Sequence, residues 1–351
     1  MKIAFVGAGR VVSWQLERIA KTNKLEIGGL YDVDQQVRDA YARDGYKTFE
    51  SLSDLCNSNP DVISICTPSD QHLKAFDEVT KLCGRGQIIT IEKPTFLKLS
   101  DFDQAKQIIL EKGLNVFPVF QNRYNDVVQH AKKIIRNQTQ GKFLHAKINL
   151  SWCRPQRYYD LASWRGMWAS DGGSLTNQGI HFIDLARYLC GEIRDVSFRM
   201  DRADISIECE NVAVGSMRTE NGRIISVDIN TVSRPDDHNA EITLYSSEGF
   251  ISLGGIAANK INEYTGNKED ISNEEFPNAY GFGHEKFFLA IEEFFSKGNK
   301  ENVLSSLDDA ESTLKVLHAA YSSAANSALI KSTNGPFDEI LGYAPKPIKF
   351  N

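Results

Sequence analysis

Up to about residue 120, short continuous apolar runs alternate with segments of helical periodicity. The runs of strand length cover residues 2–6, 25–31, 61–66, 87–91 and 115–119, with a shorter one at 47–49. Helical periodicity covers residues 13–20, 34–44, 71–83 and 101–112. Buried strands separated by helices are typical of a doubly wound parallel sheet with right-handed crossovers. We therefore predict an α/β chain whose residues 1–121 form a Rossmann domain.

The pattern changes after residue 122, where longer β-rich stretches appear. They cover residues 143–152, 196–200, 211–219, 223–232 and 241–245, and Asn221-Gly222 is a strong hairpin signal between two of them. Helical segments are predicted at 175–189, 285–295 and 307–328. Residues 122–351 are therefore predicted to form an α+β domain with a large, mostly antiparallel sheet.

Composition narrows the function classes. The formal charge of −6 comes from interspersed acids and bases. The chain has no basic excess of the kind that nucleic-acid binding requires, so we expect no nucleic-acid partner. No apolar run reaches the roughly 18 residues of a membrane helix, and residue 2 already opens a strand instead of a signal peptide, so we expect a cytoplasmic protein. The six cysteines form no C-x-x-C pair, which favours buried reduced thiols.

A glycine turn follows the first predicted strand and opens the first predicted helix. Backbone N–H groups of Gly7, Gly9, Arg10 and Val11 can approach a pyrophosphate there, at the positive end of the helix. Val12 stands at the usual third glycine position, and we expect it to push helix and strand slightly apart. The alternative is an ordinary glycine turn.

Asp32 ends the second predicted strand at about the spacing of the acid that binds an adenosine ribose. A carboxylate there repels a ribose phosphate, and the next two residues supply no arginine to compensate. The cofactor predicted from this pattern is NAD in preference to NADP.

Glu92-Lys93-Pro94 follows the strand at 87–91, at the sheet edge where ligands bind in such folds. Pro94 keeps Lys93 out of the next helix. Beside the positive nicotinamide, a partly desolvated lysine becomes a general base, so we expect Glu92 and Lys93 to border the cofactor. A solvated lysine at a strand end is the equally weighted alternative.

Thr67, Ser69 and His72 follow the strand at 61–66 at the same predicted edge. Their side chains suit the ribose and nicotinamide of the cofactor. The hydroxyls equally suit helix capping, and both roles can coexist.

The densest polar cluster runs from Trp164 and Arg165 to a predicted helix that carries Asn177, His181 and Asp184. The three helical residues are spaced four and three apart, so we expect them to share one face. His181 can accept or donate a hydroxyl proton. A hydrogen-bonded core histidine is the alternative, and no second histidine stands at the spacing of a metal ligand.

Residues 152–159 combine two arginines with three aromatic side chains, among them Arg157, Tyr158 and Tyr159. Arginine suits carboxylate or diphosphate, and aromatic faces suit sugar or base rings. The same residue types are common in subunit interfaces, which is the alternative.

Taken together, these motifs resemble the Gfo/Idh/MocA oxidoreductases. The resemblance rests on the glycine turn, Thr67-Pro68 with His72, Glu92-Lys93-Pro94, and Gly172-Gly173 followed by His181 and Asp184. It implies that Lys93 and His181 handle the substrate proton. The commonest family pattern has aspartate where this chain has Asn177, a neutral amide that can position a hydroxyl but cannot act as a base.

Within the family, residues 121–125, 152–159, 164–178 and 281–284 look like the WlbA-type branch, which oxidises the 3-hydroxyl of UDP-N-acetylglucosaminuronate with NAD for surface-polysaccharide synthesis. The resemblance implies substrate contacts from residues 157–159, Arg165 and Asn177, a cleft lined by Gln121, Trp164 and Arg165, and a homodimer or homotetramer. The alternatives are dehydrogenation or reduction of another sugar or of inositol, and a non-catalytic NAD-binding regulator.

Overall fold

The computed structural model describes residues 1–266, 280–333, 335, 339–343 and 348. The chain divides into two compact units, one formed by Met1–Gln121 with Phe282–Glu311 and the other by Asn122–Gly281 with Ser312–Asn351. The sequence pattern predicted one domain over 122–351, and the return of Phe282–Glu311 to the first unit corrects that boundary. Its cause is apolar packing, since the ring of Phe288 meets that of Phe5 edge-on, with centroids 6.3 Å apart.

The first unit is built on a parallel sheet in the order β2-β1-β3-β4-β5. The order reverses between β1 and β3, which places a switch point at the carboxyl ends of those strands. This architecture confirms the predicted doubly wound sheet. Its elements are β1 (Lys2–Val6), α1 (Arg10–Ile19), β2 (Glu26–Tyr31), α2 (Gln35–Arg43), α3 (Leu52–Asn57), β3 (Val62–Ile65), α4 (His72–Leu82), β4 (Ile88–Ile91), α5 (Leu99–Lys112), β5 (Asn115–Pro118) and, from the returning segment, α10 (Gly283–Lys297).

In the first unit one local prediction was wrong and one short element was not predicted. Residues 47–49 contribute one bridge, from Thr48 to Leu30, instead of a strand. The short helix α3 was missed; it begins where the hydroxyl of Ser51 accepts a hydrogen bond from the backbone of Asp54 at 3.1 Å. A helix of this length has too few periodic positions to be recognised by its pattern.

The second unit is built on a sheet in the order β12-β11-β10-β6-β9-β8-β7-β13. Its pairs are antiparallel except for β6 with β9, and β8 joins β9 through the predicted hairpin. The predicted large, mostly antiparallel sheet is confirmed. The elements are α6 (Asp126–Asn137), β6 (Phe143–Ser151), α7 (Gln156–Tyr159), α8 (Ser174–Asn177), α9 (Ile180–Cys190), β7 (Ile193–Asp201), β8 (Val212–Thr219), β9 (Ile224–Asn230), β10 (Asn239–Ser246), β11 (Gly249–Gly254), β12 (Lys260–Tyr264) and β13 (Ile330–Lys331), with α11 (Leu307–Asn326) running from the returning segment into this unit.

The helix predicted at 175–189 is two helices, α8 and α9, which meet at Gln178-Gly179. A Cβ on Gly179 would lie 2.7 Å from the Leu175 carbonyl oxygen and 2.9 Å from Ile229 of β9. The break therefore depends on close approach to the sheet, which periodicity alone does not show. It changes which side chains of this segment face together.

The six cysteines are free thiols, and Cys66, Cys190 and Cys209 are buried. No helix in the described ranges combines the length and apolar character that crossing a membrane requires.

Candidate active site

The glycine turn after β1 has the backbone shape of a pyrophosphate cradle. Gly7 has φ +85°, and a Cβ there would lie 2.7 Å from the Thr67 backbone nitrogen, so only glycine fits. Gly9 caps the N-terminus of α1, and no described heavy atom lies within 4 Å of a Cβ built on it. Gly9 and Arg10 are exposed and Val11 is half-buried. These residues leave space for a phosphate against the helix N-terminus.

Val12, in the first turn of α1, is fully buried. The expected pyrophosphate contacts from Gly7, Gly9, Arg10 and Val11 remain predictions.

Asp32 is held beside this turn by backbone donors. Its Oδ2 accepts from Ala8 N at 2.8 Å, and its Oδ1 accepts from Asp34 N at 2.9 Å. Each carboxylate oxygen keeps a further lone pair, and the side chain is half-exposed, so it can also accept from a ribose hydroxyl.

His72 ties together two loops at the carboxyl edge of the first sheet. Its Nδ1 lies 2.9 Å from the Pro94 carbonyl oxygen and its Nε2 lies 2.9 Å from that of Thr67. Burial lowers the pKa of this imidazole, and the carbonyl contacts oppose that shift only in part. Because both nitrogens face protein carbonyls and the ring is 1% exposed, this geometry favours bracing of the loops over direct cofactor contact.

Neither hydroxyl of this segment caps a helix: the helical turn that starts at Ser69 and the helix α4 both lack a side-chain cap hydrogen bond. The Thr67 Oγ1 atom is buried and has no hydrogen-bond partner among the described residues. The capping interpretation of Thr67 and Ser69 is therefore wrong, and their cofactor contacts stay predictions.

Lys93 lies just beyond β4, half-buried, in a loop whose Lys93–Pro94 peptide bond is cis. The preceding Glu92 is 6% exposed and accepts a hydrogen bond from the Lys93 backbone N–H at 3.1 Å. Gln121 is the last residue of the segment Met1–Gln121 of the first unit. It is 2% exposed, and its Oε1 has no hydrogen-bond partner among the described residues. An amide oxygen buried without a partner is costly, which fits the predicted role of Gln121 in a ligand cleft.

In the second unit, several predicted substrate residues belong to one hydrogen-bonded series of side chains, which we call the polar chain: Arg165, Tyr158, Gln178, Asn177 and Asp171. Arg165 Nη1 donates to the Tyr158 hydroxyl at 2.6 Å, and Gln178 Nε2 lies 3.5 Å from the same oxygen. Gln178 Nε2 also donates to Asn177 Oδ1 at 3.1 Å, and Asn177 Nδ2 donates to Asp171 Oδ1. The fold therefore brings Arg165, Tyr158 and Asn177 together.

The remaining predicted residues of this region differ in their surroundings. The Arg165 guanidinium lies 4.6 Å from the ring of Trp164. Arg157 is exposed and makes no ion pair or hydrogen bond within the part of the chain that is described. Tyr159 is 6% exposed, its hydroxyl lies 3.3 Å from Thr231 Oγ1, and burial raises its pKa to about 12. The ligand contacts of Arg157 and Trp164 therefore stay predictions, whereas Tyr159 is packed in the core.

The predicted shared face of Asn177, His181 and Asp184 does not form. Asn177 ends α8, and His181 lies half-buried in the first turn of α9. Asp184 turns into the core, where its Oδ1 lies 2.6 Å from Arg123 Nη2 and both side chains are 2% exposed. The prediction failed because the helix breaks at Gly179 and because the partner of Asp184 is distant in sequence.

Three buried residues at these sites, Gln15, His284 and Glu210, were given no role from the sequence. Gln15 and His284 both hydrogen-bond Glu92 in the first unit. Glu210 lies beneath Gly173 in the second unit, where a Cβ on that glycine would lie 2.0 Å from Glu210 Oε2. His284 had a signal in the motif at 281–284, whereas Glu210 is one of two acids in the segment Glu208-Cys209-Glu210, which matches no motif.

Comparison with known families identifies the chain. Residues 1–120 match the model of an oxidoreductase family described as having an NAD-binding Rossmann fold. Residues 128–252 match the Gfo/Idh/MocA C-terminal domain model. The two matches cover more than half of the chain, which therefore belongs to the Gfo/Idh/MocA family of oxidoreductases, as its motifs indicated. The match confirms the predicted NAD-binding Rossmann domain.

Two solved structures resemble the whole chain. The WlbA dehydrogenase of Bordetella pertussis, solved with NADH and UDP-GlcNAcA, has a TM-score of 0.84 and 28% identity, covering 96% of this chain and 98% of its own. The WlbA dehydrogenase of Chromobacterium violaceum, also with NADH and UDP-GlcNAcA, has a TM-score of 0.83 and 26% identity, covering 96% of each.

Among sequence relatives, the glucose-6-phosphate 3-dehydrogenase of Bacillus subtilis is 26% identical over 195 residues, which are 54% of this chain and 53% of that protein. The match thus spans about half the length of that relative.

Proposed function

We propose that this chain is a cytoplasmic, NAD-dependent dehydrogenase that oxidises the 3-hydroxyl of a nucleotide sugar of the UDP-N-acetylglucosaminuronate type, for surface-polysaccharide precursor synthesis. The observation that carries the proposal is the likeness, over 96% of the chain, to two dehydrogenases solved with NADH and UDP-GlcNAcA. Two further features support it, namely the polar chain and the exposed Arg157.

In this proposal each residue has a limited task. NAD, when bound, supplies the hydride acceptor. Lys93 or His181 takes the hydroxyl proton, so the carbinol loses one hydride and one proton and becomes a ketone. Asn177, fixed by Asp171, orients the hydroxyl, and Arg157 and Tyr158 bind the charged portions of the substrate.

The test is NADH formation with purified protein and a substrate panel: UDP-GlcNAcA, UDP-GlcNAc, glucose 6-phosphate and myo-inositol. UDP-GlcNAcA is expected to give a kcat/KM roughly 100-fold above the others, because the site's charged and polar groups are left unpaired without the acid and the nucleotide. Substrate deuterated at carbon 3 should yield deuterated NADH, which mass spectrometry detects and which identifies the reacting carbon.

The second candidate, oxidation of another sugar, is favoured by the likeness to a glucose-6-phosphate 3-dehydrogenase. Faster turnover of glucose 6-phosphate or myo-inositol than of UDP-GlcNAcA would establish it. If NAD binds and no member of the panel reacts, the result favours the alternative of a non-catalytic NAD-binding regulator.

We also propose that the protein is a homodimer or homotetramer that assembles through the second unit's sheet. In β9, Ile225, Val227 and Ile229 are buried while the alternate positions, starting with Ile224, face outward. Ile224 and Val214 are 45% and 46% exposed on that outward face. Ile224→Glu should shift the mass in light scattering to that of a monomer, and an unchanged mass would contradict this interface.

A further inference from the structure

The buried carboxylate of Glu92 immediately precedes Lys93, the proposed base. Glu92 follows β4, and its backbone N–H donates to the Ile65 carbonyl oxygen at 3.0 Å, which continues the sheet by one residue. Its Oε2 accepts the Lys93 backbone N–H. An ionised carboxylate in such a dry position needs strong donors, because burial removes its hydration.

Two helices supply these donors to the other carboxylate oxygen. Gln15 Nε2 of α1 donates to Glu92 Oε1 at 2.6 Å, and His284 Nε2 of α10 lies 3.0 Å from the same atom. His284 is 1% exposed and Gln15 is fully buried. The carboxylate that precedes Lys93 is thus clamped from two elements that are far apart in sequence.

The position of His284 depends on the glycine before it. A Cβ on Gly283 would lie 2.1 Å from the Gln121 carbonyl oxygen, so only glycine lets α10 begin this close to the end of β5. The neighbouring pair of Arg18 with Glu285, whose atoms lie 2.5 Å apart, joins the same two helices without contacting Glu92. The close approach at Gly283 therefore places His284 against Glu92.

The charge of Glu92 follows from its neighbours. Burial by itself would raise the pKa of its carboxyl, but the hydrogen bond and charge of His284 and the charge of Lys93 outweigh burial and lower it. The other titratable groups facing Glu92 are His72 and Cys66, and burial raises the pKa of the Cys66 thiol together with the Glu92 charge. Glu92 is therefore an anion beside Lys93 at neutral pH.

We propose that His284 is a positioning residue, which together with Gln15 holds the Glu92 carboxylate where it fixes the Lys93 backbone and places a negative charge beside the Lys93 amine. The inference rests on the proposed role of Lys93 as the proton acceptor. In that step the hydroxyl proton moves to the unprotonated form of the Lys93 amine as hydride leaves the same carbon for NAD, and Glu92 stabilises the ammonium that results. His284 acts only through Glu92.

The test compares His284→Leu, which removes the donor, with His284→Gln, whose amide can replace it. The matched control is Glu285→Gln, which breaks the adjacent ion pair between the same two helices without touching Glu92. His284→Leu is expected to lower kcat by about 10- to 100-fold with KM for the sugar and NAD affinity within about threefold of wild type, and His284→Gln should recover most of the loss. Glu285→Gln should retain wild-type kcat.

The pH profile supplies a readout that a merely structural role would not change. Glu92→Gln removes the negative charge beside Lys93, so the acid limb of kcat/KM should move to lower pH, because a neighbouring anion favours the protonated amine. If His284→Leu and Glu285→Gln lose activity equally, or if the acid limb of Glu92→Gln stays in place, the inference is overturned.

One measurement separates this inference from the proposed function. The rate at which an amine reagent labels Lys93, followed by peptide mass spectrometry across pH, needs no substrate. The labelling profile should shift in Glu92→Gln and His284→Leu even if UDP-GlcNAcA is not turned over, and superimposable profiles would refute the clamp. Should His284→Leu fail to fold, Gln15→Leu removes the other donor to the same oxygen and is expected to shift the profile in its place.

Discussion

Each unit holds a buried carboxylate next to a loop with proposed chemistry, and the two carboxylates differ in charge. Glu92 has a lowered pKa, because His284 and Lys93 outweigh the burial that alone would raise it. Burial raises the pKa of Glu210 to about 7, since its donors, the Leu175 N–H at 2.8 Å and the Tyr321 hydroxyl at 3.2 Å, are neutral. Equal burial thus gives opposite outcomes, and a neighbouring cation decides which one.

The two loops should consequently respond differently to pH. The Lys93 loop rests on an anion that keeps its charge around neutrality. The loop from Asp171 to Asn177 rests on Glu210, whose protonation changes near neutral pH. The charge beneath the Lys93 loop is therefore constant near neutral pH, whereas the charge beneath the loop from Asp171 to Asn177 changes with pH.

The largest expected effect is loss of the proton acceptor. Lys93→Ala and His181→Ala should each lower kcat by roughly 10²- to 10⁴-fold, because general base catalysis contributes that much. NAD binding, measured by fluorescence titration, should stay within about threefold of wild type. Near-normal turnover in both variants would show that neither Lys93 nor His181 accepts the hydroxyl proton.

The next effect concerns the free energy of unfolding and tests whether Glu210 changes its charge near neutral pH. Its pKa of about 7 in the folded protein exceeds the ordinary 4.5, so the folded state holds the proton more tightly. The stabilisation is complete below pH 4.5 and is lost as pH rises through 7, in total about 3 kcal/mol. Glu210→Gln, compared with wild type by urea unfolding, should therefore gain relative stability between pH 5 and pH 8.

The control for that series is Glu220→Gln, which changes an exposed glutamate in the β8–β9 hairpin. It should follow the wild-type stability profile at every pH. A parallel shift in both variants would mean that net charge, and not the buried Glu210, determines the pH dependence.

A smaller effect is expected from the polar chain above Glu210. Asn177→Leu removes the amide held by Asp171 and should lower kcat/KM by about 10- to 100-fold, in line with a lost hydrogen bond to a reacting hydroxyl. Steady-state kinetics with UDP-GlcNAcA measures it. Thr265→Val, in the same unit but outside this network, should leave kcat/KM unchanged.

The smallest effect is expected at Arg157, which is proposed to bind the charged part of the substrate. Arg157→Ala should raise KM for UDP-GlcNAcA about tenfold, since an exposed cation gives a modest interaction with an anionic ligand. The matched control is Arg223→Ala, an exposed arginine in the hairpin. Equal KM values in the two variants would mean that Arg157 does not bind the charged groups of the substrate.

The sequence by itself determined the first unit's framework and the family. Each parallel strand is a continuous apolar run, and each loop after it carries its own short motif, so Gly7, Asp32 and Lys93 could be placed from local pattern alone. The carboxyl ends of parallel strands lie at one sheet edge, which makes this placement a matter of topology. The large second sheet was likewise visible in its alternating stretches.

Only the tertiary structure decided which polar groups meet. The return of α10 to the first unit brings His284 to Glu92 across 192 residues, and the segment just before β8 brings Glu210 under Gly173. The same is true of Asp184, predicted to share a helix face with Asn177 and His181 and found paired with Arg123 in the core. Periodicity records which positions are apolar, but a buried ion pair or hydrogen bond depends on partners distant in sequence, and these meet only when the packed fold excludes water around them.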